Sequence, residues 1–101
     1  MPTIRIHVTA GAITCTPNGG HLRVPQGSEL EWVSGDEQFT LTFQGLTGGG
    51  NWPFDGPGPT QPCTHFKARL RSLDPGEPAP AYKYSVAVGG KVLDPIVIVD
   101  K

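Results

Sequence analysis

Glycine and proline break this chain too often for a long helix, with 14 glycines and 11 prolines among its 101 residues. Proline lacks the amide hydrogen and clashes with the preceding helical turn, and glycine costs a helix interior about 1 kcal/mol against alanine. Between the breaks the apolar residues alternate. Ile4, Ile6 and Val8 alternate with Thr3, Arg5 and His7, and Leu30 and Trp32 oppose Glu29, Glu31 and Val33. Phe39, Leu41 and Phe43 oppose Thr40 and Thr42, and Phe66, Ala68 and Leu70 oppose Lys67, Arg69 and Arg71. Tyr82, Tyr84, Val86 and Val88 repeat the pattern before the β-branched run 96–99. A period of two marks strands with one buried and one solvated face. Shorter extended stretches fit 12–15 and 22–24, and the strands at 29–33 and 39–43 are expected to pair as a core hairpin. About seven short strands spaced by turns predict an all-β fold, a Greek-key two-sheet sandwich forming a single domain over residues 1–101.

Charge narrows the function classes. The formal net charge is -1 and the pI about 6.2, so no global field draws nucleic acid or an anionic membrane to the surface, and neither is expected as a partner. The start of the sequence moves directly into an alternating strand, without the apolar core of a secretory signal, which leads to the expectation of a cytoplasmic protein. A sandwich of this size can fold without a cofactor, and none is expected. Cys15 and Cys63 are the only cysteines. They read either as two thiols packed like small apolar groups or as one disulfide.

The stretch 44–62 changes character, with the run 48–50 and then Pro53, Gly56, Pro57, Gly58, Pro59 and Pro62 opposing any regular ladder. It is expected to be a long loop and the natural contact surface for a protein partner. Its aromatic residues, Trp52 and Phe54, either anchor such a partner or fold back over one open end of the sandwich. Lys67, Arg69 and Arg71 form a basic stripe that can meet an acidic partner or guard an edge strand against unwanted pairing. Cys63 and His65, two apart in an extended segment, would face the same way, but a metal site would still need Cys15, His21 or His7 from another strand. No nucleophile, base and carboxylate stand in a recognisable catalytic motif, and Glu29 and Glu31 lie on a solvated strand face. The expectation is a protein without enzymatic activity.

The stretch 22–43, LRVPQGSELEWVSGDEQFTLTF, resembles the cupredoxins, with Gly27, Trp32 and Phe43 at their turn and core positions. The segment YKYSVAVGGKVLDPIVIV is similar to the last hairpin of that family through Tyr82, Tyr84 and 96–99. Small bacterial proteins share this strand pattern together with a central Pro-Phe and a late Asp-Pro, here Pro53-Phe54 and Asp94-Pro95. The resemblance implies the sandwich fold. It also implies where type 1 copper ligands would stand, and there this chain has Phe39, Val86, Gly89 and the region of Leu93, with Met1 as its sole methionine. What the resemblance implies is therefore a binding or accessory module without a copper site. The alternative from another class is a small metal-binding or redox protein using Cys15, Cys63 and His65.

Overall fold

The structure is a computed structural model and describes residues 3–9, 11–47, 50–56, 58 and 61–101. Nine strands follow one another: β1 (Thr3–Thr9), β2 (Ala12–Thr16), β3 (Leu22–Pro25), β4 (Glu29–Ser34), β5 (Thr40–Gly45), β6 (His65–Arg69), β7 (Ala81–Val88), β8 (Lys91–Leu93) and β9 (Ile96–Asp100). A 3₁₀ turn at Asn18–Gly20 joins β2 to β3. The first sheet has the order β2-β1-β4-β6, and the second β3-β9-β7-β5 with β8 beside β7. The fold is the expected two-sheet sandwich. Among the described residues it has nine strands where about seven were expected, because β2, β3 and β8 are complete though short.

Each sheet contains one parallel pair, β1 with β4 and β3 with β9. Parallel neighbours need a crossover, and here the crossovers run through the opposite sheet. The expected hairpin between 29–33 and 39–43 does not form. β4 pairs with β1 and β6, while β5 pairs with β7 in the other sheet. Both strands bury aromatic residues, and those residues meet across the core, with Trp32 edge-on to Phe43 at a centroid distance of 5.9 Å.

Trp32 is the hub. Its ring stacks on Phe66 at 6.2 Å and stands edge-on to Phe54 at 5.9 Å and Tyr84 at 5.5 Å. Such pairs each add roughly 0.5–1.5 kcal/mol beyond the apolar area they bury. Ile4, Ile6, Leu30, Val86, Val97 and Val99, all buried, fill the space around the rings. Their strand neighbours Arg5, His7, Glu29, Glu31 and Lys83 point outward or lie half-buried, as the period of two requires.

Of the loop predicted at 44–62, residues 44 and 45 belong to β5, and Gly48, Gly49, Pro57, Pro59 and Thr60 lie outside the described residues. Gly45 makes the fold-back possible. A Cβ there would sit 2.1 Å from the Gly50 carbonyl oxygen, and its amide donates to Asn51 Oδ1 at 3.0 Å. Further on, Phe54 bridges to Leu70, the Asp55 amide donates to the Arg69 carbonyl at 3.0 Å, and the Arg71 amide donates to the Pro53 carbonyl at 3.0 Å. A loop segment thus extends the outer rim of the first sheet.

Candidate functional site

The outer face of the first sheet gathers most of the ionisable side chains that the sequence singles out. Strand alternation sends Thr3, Arg5 and His7 outward from β1, Glu29, Glu31 and Val33 from β4, and His65, Lys67 and Arg69 from β6. The registers then set them side by side. Thr3 stands opposite Glu31 and Glu31 opposite Lys67, while Arg5 stands opposite Val33 and Val33 opposite His65.

Glu31 is the polar centre of this face. Its carboxylate accepts a hydrogen bond from Thr3 Oγ1 at 3.1 Å and pairs with His65 Nε2 at 2.5 Å. The contact with His65, and then that with Thr3, holds the Glu31 carboxyl below the usual carboxylate range against partial desolvation, which acts the other way. Beside it opens a cleft of about 430 Å³ lined by Thr3, Arg5, His7, Glu31, Val33 and Gly35, among others. Gly35, in the bend just past β4, lines the cleft together with His7, and a Cβ there would meet nothing within 4 Å.

Lys67 and Arg69 sit on β6, the edge strand of the sheet. Glu29 lies 3.9 Å from each of them, and Arg69 also donates to the Gly27 carbonyl at 2.9 Å. Contacts this long and this exposed contribute little stability. Charges on an edge strand do deter pairing with another chain.

Arg71 does not continue the stripe. It lies beyond β6, and its guanidinium forms a two-pronged pair with Glu77, Nη1 to Oε1 at 3.0 Å and Nη2 to Oε2 at 2.6 Å. Glu77 Oε1 also accepts the Asp74 amide at 3.1 Å, so the pair closes the turn before β7. The two side chains are 26% and 18% exposed, which makes this the least hydrated ion pair described. The Arg71 hydrogen bonds pull the Glu77 carboxyl down to about 2 from its usual 4.5. A carboxyl with a lowered folded value stabilises the fold above its unfolded value and loses that contribution as pH falls through the folded one. Glu77→Gln should therefore lower Tm at neutral pH, and the gap to the native chain should narrow between about pH 4.5 and pH 2. Melting curves across that range test this, and a gap that stays constant with pH would overturn it.

The loop aromatics turn inward. Phe54 is 4% exposed, and Trp52, half-buried, lies against Phe43 at 5.5 Å and Phe54 at 5.2 Å while its indole donates to the Gly56 carbonyl at 2.8 Å. Of the two readings offered for them, the structure places both rings as a closure of the core. Only Trp52 keeps surface for a partner to touch.

Cys63 and His65 do not share a face. The Cys63 backbone pairs with Phe39 through two hydrogen bonds of 2.8 and 3.0 Å, and its side chain packs on the core. His65 belongs to β6 and points outward to Glu31. Thr64 is a bend at which the chain passes from one sheet to the other, so the alternation that would align the pair is broken. Cys15 is a separate buried free thiol, pushed up to about 11 by burial, and Cys63 is also free, so no disulfide joins them. Among the described residues, no three His, Cys, Asp or Glu side chains come together as a metal ion would require. Also among those residues, no helix is long and apolar enough to cross a membrane.

Compared with known proteins, the chain matches no protein-family model and no curated protein.

Sequence reasoning placed Glu29 and Glu31 on a solvated face and His7 on another, without bringing them together. The cleft depends on the parallel β1–β4 register, which joins residues about 28 positions apart. Alternation within a single strand carries no trace of that register.

Proposed function

We propose that this chain is a binding or accessory module without enzymatic activity, working through the outer face of its first sheet. The observation that carries this reading is the open cleft that Arg5 and His7 of β1 and Glu31 of β4 line together, with His65 of β6 held against Glu31. Exposed ionisable groups held in register by a scaffold suit recognition. The groups displaced furthest toward their neutral forms, Cys15 and Tyr84, are shut in the core, where burial raises both. That supports a structural role for each in place of a nucleophilic one.

A scaffold without a type 1 copper site draws support from Phe39 and Val86, which stand where the cupredoxin resemblance puts copper ligands and are fully buried apolar core here. Val86 also pairs with Leu41 on one side and Leu93 on the other. This dry, filled region favours a role other than electron transfer. A cytoplasmic location belongs to the same proposal and is supported by the two free thiols. A second reading puts a protein contact on the 44–62 loop, where Leu46 is 50% exposed and Trp52 is half-buried.

Amide shift mapping decides between the two surfaces. With isotope-labelled chain and size-fractionated extract of the host cell, perturbations should cluster on Arg5, His7, Glu31, Val33 and Gly35. A cluster on Leu46 and Trp52 would move the contact to the loop, and turnover of a compound in the extract by the purified chain would overturn the non-enzymatic reading.

A further inference from the structure

We propose that the cleft between β1 and β4 binds a small organic oxyanion, a carboxylate or a phosphate monoester, with its charged head on Arg5 and His7 and its apolar body on Val33. The proposal rests on the reading of this sheet face as the binding surface and names the ligand chemistry for it.

The argument starts from the arginines. Among the described residues, Arg23, Arg69 and Arg71 each hold a carboxylate, and Arg5 holds none although it lies on an interior strand with outward-facing neighbours on both sides. Glu31, the carboxylate that lines the same cleft, is already engaged by Thr3 and His65. Arg5 therefore lines the cleft with its planar fork uncommitted, and a guanidinium fork matches the paired oxygens of a carboxylate or phosphate. His7 lines the same cleft and offers a second nitrogen.

Size and floor point to an organic ligand. A bare inorganic anion needs far less than the cleft's volume of about 430 Å³, which lies in the range of small-molecule sites. Across the sheet the register reads Arg5, Val33, His65, so an apolar side chain stands between the free cation and His65. A ligand with an anionic head and a small apolar body covers Val33 while its head meets Arg5 and His7. A divalent cation fits less well, since Arg5 would repel it and Glu31 is the only carboxylate in the lining.

The test uses benzoate and phenyl phosphate, two heads on one body, titrated into isotope-labelled chain with benzyl alcohol as the uncharged control. Saturable amide shifts are expected at Arg5, His7, Val33 and Gly35 with one or both anions and not with the alcohol, and the stronger anion identifies the head. Arg5→Gln should weaken binding about tenfold or more, the effect of losing a charged hydrogen bond. Gly35→Val should block it by filling the cleft. A Cβ at Gly35 meets nothing within 4 Å, so the substitution introduces no clash at that atom, and an unchanged Tm shows that the fold is kept. Lys67→Gln should leave binding unchanged.

Equal weakening by Arg5→Gln and Lys67→Gln would mean diffuse attraction and overturn the proposal. So would benzyl alcohol shifting the same amides as strongly as the anions. Silence with both anions, alongside shifts on the same face from a macromolecular fraction of extract, would overturn the oxyanion and leave the binding face standing. Silence on that face with every probe would remove both.

Discussion

Replacing Phe54 by alanine is expected to lower the unfolding free energy by about 3–5 kcal/mol, the usual cost of emptying a buried aromatic site. At roughly 4–8 °C per kcal/mol for a domain of this size, Tm should fall by at least about 12 °C. A residue in a stretch of glycines and prolines would ordinarily tolerate such a change. Phe54 does not, because its ring is edge-on to Trp32 at 5.9 Å and to Phe43 at 5.2 Å, and it contacts Phe66 at 6.0 Å. Removing it opens a void against three rings that cannot collapse without leaving their own strands. Leu46→Ala, at the exposed start of the same loop, should change stability by no more than about 0.5 kcal/mol. Trp52→Ala should fall between them, since its ring is only half-buried and its indole bond is to the local Gly56 carbonyl. Thermal and denaturant unfolding of the three variants measure this order. A Phe54→Ala loss below about 1 kcal/mol would show that the loop is not part of the core.

The same contrast explains how much of the fold could be read from sequence. Alternation shows which side of a strand faces inward, and Ile4 and Ile6, Leu30 and Trp32, and Tyr82, Tyr84, Val86 and Val88 are buried as their spacing implies. It does not show which strand lies alongside. The 29–33 and 39–43 segments have the pattern of hairpin partners, yet each supplies an aromatic residue to the core from the opposite sheet. β8 spans only three residues, too few for a period to register.

The candidate site was legible in its residues and hidden in its arrangement. Lys67 and Arg69 lie on the outer face of β6 as the period predicts. Arg71 follows the same spacing, but at Leu70 the chain meets Phe54 and leaves the sheet, and Arg71 is captured by Glu77. His65 and Cys63 part company at the Thr64 bend for a similar reason. Glu31 finds His65 34 positions away, across a β4–β6 pairing that no local pattern encodes. Where a strand continues, the sequence shows its faces, and where the chain changes sheets, tertiary packing decides.

Gly20 gives the second large effect, because the chain there is constrained by conformation and by space together. Its φ is +88°, in the region L-residues avoid at a cost of roughly 1–2 kcal/mol. A Cβ would also lie 2.8 Å from the Tyr84 hydroxyl, 3.0 Å from Pro95 Cγ and 3.2 Å from Cys15 Cβ. The Tyr84 hydroxyl donates to the Gly20 carbonyl inside the core, so it cannot move without losing its buried acceptor. Gly20→Ala should therefore cost about 3 kcal/mol or more, the sum of backbone strain and a disturbed buried hydrogen bond. Gly27→Ala isolates the first part, since Gly27 has φ +76° and nothing within 4 Å of a Cβ, and it should cost only about 1 kcal/mol. Tyr84→Phe removes the oxygen that the new methyl group strikes. In the Gly20→Ala background it should cost less than it does alone, a coupling that a double-mutant cycle reads directly. Strict additivity, or equal losses at Gly20 and Gly27, would mean that Gly20 is needed only for its backbone angle and that Tyr84 does not fix the turn between β2 and β3.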